Sequence, residues 1–312
     1  MRKSRSLFLL LVVLLTGCFQ DPGSPVGSGM KAEQQVINAE DRETESQVDS
    51  EQETLEPHEK GGEADLAKLE MIFGFTDETG RRLIATGIEN TQKDLLSQFA
   101  YAIGENGNVI SVKYENWQEG DDAGTGRDLS NNFDHLAGHV FSVTEGKAQQ
   151  NETYYFFHEL AMPLGSLLGI TTDGQPVKDE TLWRKIETDK DRKLQKLLHL
   201  ADIAGDNDLY LAHFERTGNE HMFSLILNRE QGVSYLDFPK VAEDTNGVWR
   251  VDDQGEVDQN TFSFLFAAKS SEKGILLGME WNGAEGINTL FLHGDGEHLT
   301  QLETRYGRYT SP

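Results

Sequence analysis

Apolar and polar positions alternate with the period of β-strands along most of the chain from residue 66 onward. Ile110, Val112 and Tyr114 alternate with Ser111, Lys113 and Glu115, the pattern of a strand with one buried face. Upstream, the Asn106-Gly107 pair separates this run from "QFAYAIG", and Asn-Gly between apolar runs predicts a tight hairpin. "HVFSVTEGKAQQNETYYFFHEL" reads as another strand pair. From 209 onward, apolar runs alternate with short turns. "LYLAHFER" and "HMFSLILNRE" flank "TGNE", "TFSFLFAAK" and "GILLGMEWN" flank "SSEK", and "GINTLFLH" and "EHLTQLETRY" flank "GDG". Such a succession predicts an antiparallel meander. Phe262, Phe264 and Phe266 are expected on one face of their strand, and Ile275, Leu277, Met279 and Trp281 on one face of theirs.

One stretch carries a helical period instead. In "TDKDRKLQKLLHLADIAG", Leu194, Leu197, Leu198 and Ala201 recur at i, i+3, i+4 and i+7. Thr188 or Asp189 stands where an N-cap belongs, and Gly205 stands where a helix would end. The pattern predicts an amphipathic helix over about 189–204, packed on the sheet that follows. The expected fold class is therefore α+β and strand-rich, with antiparallel sheets, a meander and one clear helix. The turn-rich passage "MPLGSLLGITTDGQPVKDE" suggests a division into 66–175 and 176–312, as parts of one domain or as two.

Residues 1–65 follow a different logic. Arg2, Lys3 and Arg5 precede an unbroken apolar run from Leu7 to Leu15, then Thr16, Gly17 and Cys18. Charged head, apolar run and small residues are the order of a secretory signal, and the run is too short to span a membrane. "LTGC" resembles the lipobox of bacterial lipoproteins. The resemblance implies that residues 1–17 are a signal peptide, and that Cys18 is joined to a diacylglycerol and becomes the mature N-terminus. It thereby implies an extracytoplasmic protein held to a bacterial membrane by its lipid, since two acyl chains suffice for stable anchoring. Cys18 is the only cysteine, so no intramolecular disulfide is available.

Residues 19–65 hold 13 acidic against 3 basic side chains, and Phe19 is their only aromatic. Low hydrophobicity and high charge predict an acidic, disordered tether, which with Cys18 spans 18–65. Its reach is roughly 40 Å, from the scaling of flexible linkers. The whole chain has 53 acidic and 28 basic residues, a net charge of −25, which becomes −28 without the signal. Such a charge argues against nucleic-acid binding and makes any membrane attachment covalent rather than electrostatic.

No catalytic signature is evident. There is no G-x-S-x-G elbow, no Walker A segment and no G-x-G-x-x-G after a strand, so neither a catalytic residue nor a cofactor is assigned. His135 and His139 are spaced as zinc ligands on a helix, but Leu136 stands where a zincin needs Glu. If Asp295-Gly296 formed a two-residue turn, His293 and His298 would lie opposite each other across the hairpin, close enough to share a metal. Asp206 and Asp208, and the cluster Asp252, Asp253, Glu256 and Asp258, are acidic turns without EF-hand spacing. Trp249 and Trp281 stand beside charges and glycines, as core residues or as stacking surfaces for a sugar or peptide. Residues 66–312 carry no motif that resembles a known family. Three readings remain for them: a binding or structural module near the membrane, a hydrolase of envelope polymers using dispersed carboxylates, and a transporter's solute-binding subunit. The strand run from 209 to 303 disfavours the last, which calls for two lobes of alternating strands and helices.

Overall fold

The computed structural model describes residues 61–241, 249–251 and 255–311, all within one compact unit. The expected signal peptide, Cys18 and the acidic segment up to residue 60 lie outside the described residues. The expected tether includes its last residues in the fold. The Ala64 amide donates to the Lys269 carbonyl at 2.7 Å, and Asp65 caps a 3-10 turn over Leu66–Lys68.

The first six strands close into an antiparallel barrel. They are β1 (Phe73–Thr76), β2 (Arg82–Ala85), β3 (Tyr101–Gly104), β4 (Asn108–Gln118), β5 (Gly138–Glu145) and β6 (Thr153–Phe157), in the order β1-β2-β5-β4-β3-β6. A short helix, α1 (Lys93–Leu96), leads into β3. Ile110, Val112 and Tyr114 face the barrel core with Phe141, Tyr154 and Phe156, as the alternation predicts. A Cβ at Gly74 would lie 2.4 Å from the Ile84 carbonyl, so β1 and β2 can approach this closely only with glycine there. Strands β5 and β6 exist where expected but do not pair with each other. Their partners are β2 and β4, and β1 and β3, because barrel closure pairs strands distant in sequence.

Two further sheets form a sandwich. The outer one contains β8 (Ile170–Thr172), β9 (Leu194–Ile203), β10 (Asn207–Phe214), β11 (Glu220–Arg229) and β12 (Gly232–Val241), ordered β12-β11-β10-β9-β8. The middle one contains β7 (Leu167–Leu168), β13 (Phe262–Ser270), β14 (Gly274–Asn282), β15 (Gly286–Gly294), β16 (Leu299–Leu302) and β17 (Gly307–Tyr309). The hairpins read at 209–229, 262–282 and 286–302 all form. The turn-rich passage after Met162 supplies an edge strand to each sheet, β7 against β13 and β8 against β9. One face of the middle sheet packs Ile275, Leu277, Met279 and Leu292 against Leu198, Leu211, Phe223 and Leu225 of the outer sheet. Its other face packs Phe266, Leu276 and Phe291 against Phe73, Tyr155 and Phe157 on the barrel wall.

Two further expectations are corrected. The helix is α2 (Glu180–Lys190), ahead of the predicted span, and residues 194–203 are strand β9. Asp179 caps α2 by accepting from the amides of Thr181 and Leu182, and Asp191 ends it in the left-handed region at φ 47°. Strand β9 imitates a helix because its register shifts twice against β10, once around Gln195 and once around Leu200. Each extra residue lengthens the same-face spacing from two to three. Leu194 and Leu197 thus both face α2. The second correction lies in β13, where the register skips Leu265. Phe262 and Phe264 face the outer sheet, whereas Phe266 turns to the barrel.

Candidate functional site

A cleft of about 570 Å³ opens where the barrel, the middle sheet and the outer sheet meet. Glu105 and Asn106 enter it from the β3–β4 hairpin, Asn151 and Glu152 from the β5–β6 connection, and Asp173 from the end of β8. Gln259 and Asn260 come from a 3-10 turn, and Ser263 and Glu280 from β13 and β14. Local chemistry sets each wall. Asn106 and Gly107 take left-handed backbone angles of 55° and 90°, as a tight hairpin requires. Their amides donate to the carbonyls of Phe264 and Leu265 at 2.8 Å each. The bulge in β13 thus receives the tip of the barrel hairpin. Asp258 accepts from the Asn260 amide at 2.8 Å and the Thr261 hydroxyl from the Asp258 amide at 2.9 Å, a reciprocal cap that fixes the 259–261 turn.

Glu280 is the most unusual residue of this cleft. It stands on the face of β14 opposite Met279 and Trp281, directly across from Ser263 on β13 and Thr289 on β15. Only 3% of it is exposed. The Ser263 hydroxyl donates to Oε2 at 3.0 Å, while Oε1 is buried without a hydrogen-bond partner among the described residues. Burial raises the pKa of this carboxyl; the hydroxyls of Thr153 and Ser263 and the charge of Arg308 oppose the rise without cancelling it. Glu152 is raised too, by burial and then by the charges of Glu280 and Glu105, against the pull of Arg308.

Arg308 lies behind these two acids, 2% exposed. Its guanidinium donates to the carbonyls of Asp128 and Asn151, each at 2.7 Å, and to the Thr153 hydroxyl at 3.3 Å. It also sits 4.7 Å from the centre of the Phe75 ring. Burial pushes its pKa down, and the charges of Glu280, Asp128 and Glu152 counter that. Two raised acids and one buried cation thus hold one another in a low-dielectric wall.

At the rim, His199 bridges two carboxylates. Its Nδ1 is 2.9 Å from Asp173 and its Nε2 3.1 Å from Asp208. Burial would raise the Asp173 carboxyl, but the Gln175 amide and His199 hold it below the usual value. The same cleft therefore presents carboxyls pushed in opposite directions.

Of the residues singled out from sequence, only Asp208 and Asp258 reach the margin of this cleft. His293 is buried and pairs with Thr300, while His298 is exposed and contacts Asp295 at 3.6 Å. A longer turn causes this, since Asp295 accepts from the amides of Glu297 and His298. The register does not bring the two histidines together. His135 pairs with Asp121 and His139 contacts Tyr114, on separate elements. Asp208 belongs to the His199 bridge, Asp206 accepts from Asn207, and Asp258 caps its turn. Glu256 stands 4.0 Å from His213, and Asp252 and Asp253 lie outside the described residues. Trp249 and Trp281 are half-buried and pack on Phe223 at 4.9 and 5.6 Å, closing the end of the sandwich core. Among the described residues no three metal-ligating side chains converge.

Glu152, Glu280 and Arg308 were not legible as a site. Glu280 alone left a trace. In "GILLGMEW" it continues the row of Leu276 and Gly278, so a carboxyl stands in a strand that is otherwise apolar on both faces. No family model, no curated protein and no solved structure matches this chain.

Proposed function

We propose that this chain is a lipid-anchored envelope protein whose globular part is a non-enzymatic binding module. The anchoring half of the reading rests on the basic head, the apolar run and the "LTGC" box, with the lipid on Cys18. The binding half rests on one observation. A polar cleft of about 570 Å³ is walled by a buried glutamate that has an oxygen without a partner. Buried acceptors are normally satisfied, and on the wall of a polar cleft an unsatisfied carboxyl is a place where a ligand group can supply charge or a donor. The module therefore holds a polar ligand at the extracytoplasmic face of the membrane, close to its anchor.

Two measurements test this. Labelled palmitate is incorporated by the native chain and not by Cys18→Ser; incorporation into the variant removes the anchor. Hydrogen exchange on the purified protein, with and without solubilised envelope polymers, gives protection at 105–106, 151–152 and 259–260. Absence of protection there removes the cleft as the binding surface.

A second reading is favoured by the opposed carboxyls. Glu280 is raised and Asp173 lowered in one cleft, the asymmetry that general acid and base or nucleophile require. Release of reducing ends from those same polymers, abolished by Glu280→Gln, would move the assignment from binding to hydrolysis.

A further inference from the structure

The charge inventory of the cleft names a class of ligand. Among the described residues four carboxyl groups line it, from Glu105, Glu152, Asp173 and Glu280, and no lysine, arginine or histidine does. His199 serves Asp173 at the rim, and Arg308, behind Glu152 and Glu280, directs its hydrogen bonds to the carbonyls of Asp128 and Asn151 and the Thr153 hydroxyl. The acids alone would describe a solvated acidic patch. Glu280 makes the difference, because it is 3% exposed and its Oε1 has no hydrogen-bond partner among the described residues. With four acids in its lining, the field of the cleft is negative, and it favours a ligand group that carries positive charge. The amide side chains of Asn106, Asn151, Gln259, Asn260 and Asn282 add neutral donors and acceptors around it, suited to a polar frame. Phe262 and Phe264 supply an apolar side.

We infer that the cleft binds an organic ligand bearing a primary ammonium group, held electrostatically by the carboxyls of Glu280 and Glu152 on its wall. This rests on the reading of the cleft as a binding site. The shared chemistry, an ammonium on a polar frame, occurs in free polyamines and in de-N-acetylated amino-sugar polymers. The field would draw either one in, with an affinity that weakens as salt rises.

The test is calorimetric titration of the purified full-length chain with three probes: spermidine, a glucosamine hexamer, and the N-acetylglucosamine hexamer as the uncharged counterpart. The expected result is binding of at least one ammonium probe about tenfold or more tighter than the neutral hexamer. Glu280→Gln then weakens it by about tenfold or more, while thermal unfolding shows the variant folded. Glu152→Gln provides the same readout should Glu280→Gln fail to fold. Preference between spermidine and the glucosamine hexamer distinguishes a free amine from an amino-sugar polymer. Equal binding of the charged and neutral hexamers, with the glutamate variants weakening both, would overturn the ammonium assignment and leave the cleft standing. Ammonium binding unchanged in both variants overturns the inference as well. No binding by any probe overturns the ammonium inference, while the cleft reading stands or falls with the hydrogen-exchange protection at 105–106, 151–152 and 259–260.

Discussion

A carboxyl buried without a full set of partners binds its proton more tightly in the folded chain than in the unfolded one. For Glu280, whose ordinary value is 4.5, the folded pKa is raised. Between the unfolded and folded values the native state holds the extra proton, so stability falls as pH rises through that window. Glu280→Gln should therefore flatten the pH profile above 4.5 and raise stability at pH 7–8 by about 1 kcal/mol, measured by urea unfolding. A variant less stable than the native chain at pH 8 would show that the carboxylate is already satisfied. His213 works in the opposite sense. It is buried, its Nε2 lacks a partner among the described residues, and burial lowers its pKa below 6.5 despite the nearby charge of Glu256. Its contribution is complete above that value and is lost as pH falls from 6.5 towards the folded pKa. His213→Phe should reduce the loss of thermal stability between pH 7 and 5; an unchanged acid slope would place the lability elsewhere.

At the scale of elements, α2 closes the outside of the outer sheet, with Ile186 packed on Leu194, Leu197, Tyr210 and Phe214. Ile186→Ala should cost roughly 2–4 kcal/mol from the cavity it leaves, and Asp179→Ala about 1 kcal/mol from the lost cap. Equal, small effects in chemical denaturation would mean that the sheet face is stable without its helix. This helix also marks what sequence patterning misreads. Hairpins were legible because their chemistry is local; Asn106-Gly107 and the short turns after 209 impose their own geometry. The spacing of Leu194, Leu197, Leu198 and Ala201 was ambiguous, because two bulges stretch a strand's period of two towards that of a helix. The Leu265 bulge escaped notice for the same reason, and with it the site where the barrel docks. Barrel closure was illegible on other grounds. β6 pairs with β1 and β3, strands far upstream, and nothing in its own residues names them. Since the cleft is assembled from these distant segments, its acids could not be chosen from among the chain's 53.

Across the whole molecule, the middle sheet is the organising layer. It shares one apolar face with the outer sheet and the other with the barrel, and the polar group around Glu280 lies where the second interface meets the cleft. Arg308 ties these parts together. It belongs to β17 of the middle sheet, while its hydrogen bonds reach Asp128, Asn151 and Thr153, the last at the start of β6 in the barrel. Barrel and sandwich should accordingly unfold in one step rather than two. Tryptophans report on each part separately, since Trp117 lies on the barrel strand β4 and Trp249 and Trp281 pack on the sandwich core. Variants keeping only Trp117 or only Trp249 should give coincident urea transitions, the signature of a single cooperative unit. Arg308→Met would leave the Asp128 and Asn151 carbonyls without this donor and remove the positive charge that opposes the rise of Glu280. A cost of about 3 kcal/mol or more should then appear in both probes together. If only the Trp117 transition moved, the barrel would be an independently folding unit, and the cleft would lie between two bodies free to part around a ligand.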